Sequence, residues 1–100
     1  MTVFAVEYVY APESEAGRDE HRPGHRAFLT SLKESGNVSL ITSGPYVDGS
    51  GALLIFSAPS EEDLTAALAR DPFNAEGFVA ALRITGWIPA SGELSHYAAQ

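Results

Sequence analysis

The stretch from Val38 to Ser57, VSLITSGPYVDGSGALLIFS, decides the fold. Val38 to Ser43 (VSLITS) and Ala52 to Ser57 (ALLIFS) combine β-branched and apolar residues in short runs, and each predicts a strand. Gly44-Pro45 closes the first run. Asp48-Gly49-Ser50-Gly51 supplies a turn, because Asp bonds the backbone two residues on and Gly takes positive φ without steric cost. The two strands therefore form a hairpin and neighbour each other in one sheet.

Upstream of the hairpin, Val3 to Tyr10 (VFAVEYVY) reads as a strand with Phe4, Val6, Tyr8 and Tyr10 on one face. Val3, Ala5 and Val9 lie on the other, broken only by Glu7. Ala11 to Gly17 carries Pro, Ser and Gly and reads as a loop. Asp19 or Arg22 is then expected to cap a helix with Pro23 in its first turns and its end at Gly36. His25, Phe28, Leu29 and Leu32 fall at i, i+3, i+4 and i+7, so a histidine heads the stripe that must meet the core.

Downstream, Ser60 is an N-cap followed by Glu61, Glu62 and Asp63, where acids match the helix dipole. Leu64, Ala67 and Leu68 mark the buried side of this second helix. Asp71-Pro72-Phe73 ends it and opens a short helical turn through Ala75, before Gly77. A fourth strand is expected from Phe78 to Ile88, with a polar tail beyond Pro89.

The order β-α-β-β-α-β with a central hairpin predicts an α+β, ferredoxin-like fold, with both helices on one face of a four-stranded antiparallel sheet. One hundred residues, 45% of them hydrophobic and 19% charged, make one domain with a single core and exclude long disorder. The core is expected over about 3–88, with 89–100 as a tail. Strands one and three are apolar on both faces while two helices cover only one. The uncovered face calls for a partner, most simply a second copy, giving a homodimer through the sheet face.

A net charge of −7 repels a phosphate backbone, so no nucleic acid is expected as partner. No apolar run approaches the ~20 residues of a bilayer span, and no secretory segment is seen. No membrane association is therefore expected, and a cytoplasmic location is. The absence of cysteine excludes a disulfide framework, a thiolate metal site and a cysteine nucleophile.

In this topology the two helices run antiparallel, so the start of the first lies beside the end of the second. His25 and Asp71 are expected at that edge, and the first two strands bring Tyr8, Tyr10, Thr42, Ser43 and Gly44 toward it. A carboxylate accepting from one imidazole nitrogen fixes the tautomer and raises the basicity of the other, so His25 and Asp71 form a candidate catalytic dyad. Arg22, one turn before His25, suits an anionic group of a ligand. Ser43 and the backbone near Gly44 are placed to donate hydrogen bonds to developing negative charge. Tyr8 and Phe73, with Phe28 and Phe56, are the aromatics available to line a pocket.

Each of these residues has a plainer account. His25 fits a satisfied core histidine, Asp71 before Pro72 fits the N-cap of the turn that follows, and the aromatics fit a core. His21 and His25 at i, i+4 lack the Glu of an HExxH arrangement, and no Gly-rich phosphate loop or dinucleotide fingerprint is present. Neither a metal nor a cofactor is expected. Ser43 lacks the GxSxG elbow of a serine nucleophile.

Arg22-Pro23-Gly24-His25 ahead of an apolar helix, Thr42-Ser43-Gly44-Pro45, Asp48 to Gly51, and Asp71-Pro72-Phe73 followed by Gly77-Phe78 occur in this order between Val3 and Trp87. The set resembles the YciI-like (YCII-related) proteins of the dimeric α+β barrel superfamily. The resemblance implies a homodimer of ferredoxin-like subunits with an active site around His25 and Asp71. It also implies chemistry on cyclic or aromatic-derived compounds, as in dehydrochlorinase and muconolactone-isomerase relatives, although most YciI-like members have no assigned reaction. The acidic first loop and the tail from Ser91 to Gln100 fall outside the pattern.

The resulting expectation is a cofactor-independent enzyme of isomerase or lyase type, using His25 and Asp71 for proton transfer on a small organic acid or cyclic metabolite, with an anionic ligand. The alternative is a non-catalytic module that binds or senses a small molecule through the same pocket. A purely structural partner protein would instead combine a larger exposed apolar patch with a closed cleft.

Overall fold

The computed structural model describes residues 1–32 and 37–99. Over these the chain runs β1 (Thr2–Tyr10), α1 (Glu15–Leu32), β2 (Ser39–Pro45), β3 (Gly51–Ala58), α2 (Glu61–Leu68), α3 (Pro72–Ala75) and β4 (Val79–Gly86), then a 3-10 turn at Ser95–Ala99. The strands lie in the order β2-β3-β1-β4 and every neighbouring pair is antiparallel. The fold is thus α+β and ferredoxin-like. Among the described residues no helix is long and apolar enough to cross a membrane.

Register determines which side chains meet the helices. Phe4, Val6 and Tyr8 of β1 stand opposite Phe56, Leu54 and Ala52 of β3, and all six are buried. They form the core with Leu29 and Leu32 of α1 and Leu64, Ala67 and Leu68 of α2. A slip of one residue would replace this face of β1 with Val3, Ala5 and Glu7 and expose the core set, so the pairing is strongly specified. On the opposite face Val3 and Ile55 are buried, whereas Val9 and Leu53 each remain 41% exposed.

The hairpin turn is built as its residues require. Asp48 Oδ1 accepts from the Ser50 backbone N–H at 2.9 Å and its hydroxyl at 2.7 Å, and Gly49 takes φ 76°. These bonds hold the Asp48 carboxyl below its ordinary range. Helix α2 begins as expected, with Ser60 as N-cap accepting from the Asp63 N–H at 3.1 Å.

Helix α1 starts earlier than its sequence suggests. Its first intrahelical bond runs from Arg18 N–H to the Ser14 carbonyl at 2.8 Å, and Arg18 Nε donates to Ser14 Oγ at 2.9 Å. The expected cap at Asp19 or Arg22 therefore falls inside the helix, and Pro23 sits in the interior, unable to donate to the Asp19 carbonyl. Tertiary packing explains why two glycines do not break it. A Cβ at Gly17 would lie 2.6 Å from the Phe78 ring, and one at Gly24 would meet Pro72 at 3.4 Å. Contact with the α3 region thus overrides a propensity cost of about 1 kcal/mol per glycine. The expected helix end at Gly36 lies outside the described residues.

The expected fourth strand is shorter, Val79–Gly86, although Trp87 N–H still donates to the Val3 carbonyl at 2.9 Å. Pro89, which has no N–H for a ladder, is buried, and the tail beyond it forms the 3-10 turn.

Gly51 opens β3 where a Cβ would stand 1.9 Å from the Tyr8 carbonyl oxygen, a clash of backbone with side chain that no rotamer relieves. Gly51→Ala is expected to destabilise the fold by about 1–3 kcal/mol or more, as overpacking does. A urea melt reads this as a lower midpoint at unchanged m-value. A wild-type midpoint would mean that β1 and β3 separate without cost.

Candidate active site

Asp71 lies between α2 and α3 and is completely buried. As N-cap of α3 its Oδ1 accepts from the Phe73 N–H at 3.0 Å, with extended backbone at φ −63° and ψ 125°. The same carboxylate accepts from the Tyr8 hydroxyl at 2.8 Å. His25 Nδ1 stands 2.9 Å from Oδ1 and 3.0 Å from Oδ2. The cap and the histidine contact coexist because a carboxylate offers two oxygens and about four lone-pair sites.

An ionised carboxylate only accepts, so His25 Nδ1 carries the proton toward it, and in the neutral form of the ring Nε2 holds the lone pair. The ring cannot swing freely, since Phe73 stacks on it with centroids 4.1 Å apart and planes 2° from parallel. Behind the pair, Asn74 Nδ2 donates to the Tyr8 oxygen at 3.0 Å and to the Leu68 carbonyl at 2.8 Å. Burial first, then the charge of Asp71, pushes the Tyr8 phenol above its ordinary value, so it stays a donor. The result is a hydrogen-bonded chain, Asn74 to Tyr8 to Asp71, ending on the imidazole.

His25 is the member of this chain that reaches a cavity of about 680 Å³ between α1 and the adjoining parts of β2 and β3. Arg22, Ser43, Gly44 and Phe73 line the same cavity. Tyr8 does not: read from sequence as a ligand contact, it lies wholly buried and meets Asp71 instead. Phe56 is likewise a core residue, and Phe28 packs against the core. Thr42 pairs with Ile55, on the sheet face away from the helices, while Ser43 pairs with Leu54 on the cavity side. His21 does not join His25; its Nδ1 is 3.0 Å from the Gly17 carbonyl and its Nε2 is 3.5 Å from Glu76.

Tyr10, expected near this edge, does line the cavity, whereas two of its arginines escape the sequence reading. Tyr10 lies under the Arg18 guanidinium, 3.9 Å from ring centroid to Cζ, and Arg18 and Arg26 both line the cavity. Their signal is the spacing Arg18, Arg22, Arg26 at i, i+4 and i+8. It is hidden when the helix is taken to start at Asp19 or later. Burial raises the Tyr10 phenol, opposed by the positive charges of Arg18 and Arg22. Arg22 itself is paired with Asp19.

The chain is thus a small α+β, ferredoxin-like domain with a histidine held at a cavity wall by a buried aspartate. The chain belongs to the YCII-related domain family, whose model matches residues 2–88. Among curated proteins, none matches it by sequence. Of the solved structures, it is similar to 5-chloro-2-hydroxyhydroquinone dehydrochlorinase (TftG) from Burkholderia phenoliruptrix AC1100, in complex with 2,5-dihydroxybenzoquinone. That match has a TM-score of 0.74 and 26% identity, over 85% of this chain and 92% of TftG. Rv0793 from Mycobacterium tuberculosis shares the fold at TM-score 0.59 and 13% identity, over 92% of this chain and 97% of its own. The C-terminal domain of MgtC from Mycobacterium tuberculosis does so at TM-score 0.54 and 17% identity, over 93% and 95%.

Because folding raises the Tyr8 pKa above its ordinary 10.0, its contribution to stability is complete below about pH 10 and is lost as pH climbs beyond that. Wild type should therefore lose stability between pH 9 and pH 11, and Tyr8→Phe should lose less over the same interval. At pH 8 the variant should be less stable by about 1–3 kcal/mol, since Asp71 is left buried with one donor fewer. Urea melts at the three pH values read both effects, and identical pH slopes would remove Tyr8 from the alkaline limb.

Proposed function

We propose that this protein is an acid–base enzyme of isomerase or lyase type, acting on a small acidic or cyclic compound. The observation that supports this reading is the His25 imidazole, with Nδ1 against both oxygens of a fully buried carboxylate and its ring at a cavity wall. Nε2 takes a proton from a C–H or O–H of the bound compound, and the imidazolium that forms is stabilised by Asp71. Returning that proton to a different atom completes an isomerisation. In a lyase step the electron pair left behind forms a double bond and expels a leaving group on the neighbouring atom. Ser43, on the opposite wall, donates to the negative charge that develops, and Arg22 holds an anionic group.

The similarity to TftG, whose name describes loss of hydrogen chloride, favours the lyase form. We further propose that the sheet face carrying exposed Val9 and Leu53 packs on the same face of a second copy, as an isologous pair.

Chloride release from 5-chloro-2-hydroxyhydroquinone tests the chemistry. Wild type should release chloride, His25→Gln should fall to the spontaneous rate, and Asp71→Asn should lose about 10²–10⁴-fold. Light scattering should give each protein twice the chain mass of 10.6 kDa. Equal rates in wild type and His25→Gln would sink the enzymatic reading. Binding of 2,5-dihydroxybenzoquinone without any turnover would move the protein to the ligand-binding class.

A further inference from the structure

Three of the chain's six Lys and Arg residues line the cavity, in a protein whose net charge is −7. They are Arg18, Arg22 and Arg26, on successive turns of α1. A helix that only covered a sheet would turn apolar residues toward it along its whole length. The cavity side of α1 carries Glu15, Arg18, Asp19, Arg22, His25 and Arg26 before it becomes apolar at Leu29. This departure leaves room for a ligand where core packing would otherwise be.

The three arginines are not equivalent. Arg18 is engaged by Ser14 Oγ and the Tyr10 ring, and Arg22 by Asp19. Among the described residues no carboxylate lies within 4.0 Å of the Arg26 guanidinium. The cavity's acids, Glu15 and Asp19, stand at the N-terminal end of the helix, beside Arg18 and Arg22. Positive potential on the wall therefore rises toward Arg26, the neighbour of His25 in sequence. Across from it lie Ser43, Gly44 and Pro45, and a Cβ at Gly44 would meet nothing within 4 Å. That wall is uncharged and open enough for a flat ring.

We propose that Arg26 is the specificity-determining residue of the cavity and holds the acidic group of a small planar monoanion, with Arg22 as second donor. Residues at i and i+4 have Cβ atoms about 5–6 Å apart, so both guanidinium groups reach one carboxylate. The ring of the ligand lies along Gly44 and Pro45 and directs its reacting atom to His25. The proposal rests on the acid–base reading for that direction only; the anchoring of the anion stands apart from it.

Benzoate and salicylate, with benzamide and salicylamide as uncharged counterparts, are titrated into ¹⁵N-labelled wild type, Arg26→Gln and His25→Gln. At least one acid should bind wild type about tenfold or more tighter than its amide. Arg26→Gln should abolish that preference, and His25→Gln should keep it within about threefold. The proposal is overturned if neither acid outbinds its amide in wild type, or if Arg26→Gln retains the preference. Loss of the acid–base reading shows elsewhere, as equal chloride release by wild type and His25→Gln, and leaves the Arg26 comparison intact.

Discussion

The Asp71 carboxylate has no exposed surface, and a charged group so placed is tolerated only while donors fill its lone pairs. Those donors come from three separate parts of the chain: the Tyr8 hydroxyl on β1, the His25 ring on α1 and the Phe73 N–H at the head of α3. The sheet, the long helix and the connection from α2 to β4 are therefore tied at one buried point. None of the three can shift without leaving an acceptor unsatisfied, at a cost of about 1–3 kcal/mol or more for a charged group. The same tie makes the imidazole a preorganised group, because its tautomer and plane are set before any ligand arrives. Gly51 belongs to this constraint as well, since its missing Cβ lets β3 approach the Tyr8 carbonyl and so seats Tyr8 over Asp71.

The parts of the fold legible in sequence are those decided by neighbours along the chain. The Asp48 to Gly51 turn carries its own bonds and its own positive φ, so the hairpin, and with it the order of elements, follows from local chemistry. The meeting of His25 with Asp71 is expected from that order, but His25 lies ten residues into α1 and not at its start, so the packing of α1 on α3 is what brings the ring to the carboxylate. The beginning of α1 is not local either. Gly17, Pro23 and Gly24 all disfavour a helix locally, and the two glycines are packed against Phe78 and Pro72, far along the chain. Tyr8 shows the same limit: alternation places it on the helix face, but its depth depends on Asn74 and Asp71 beneath it.

An acidic chain that builds a cationic cavity wall poses an electrostatic question, and distance answers it. At physiological ionic strength charges more than about 8 Å apart are largely screened, so the net charge of −7 weakly repels an approaching anion. Inside the cavity the guanidinium groups act at contact, where charge-assisted hydrogen bonds outweigh the screened background. Arg18 also serves the structure, covering Tyr10 and bonding Ser14 at the helix start. Fixing that side chain places one cation at the mouth of the stripe without asking the ligand to order it, which lowers the entropy cost of binding. Arg26 has no such restraint among the described residues, so its ordering falls to the ligand. In the proposed role, selectivity for an acid is drawn from Arg26, the cavity arginine that among the described residues has neither a side-chain hydrogen bond nor a ring beneath it.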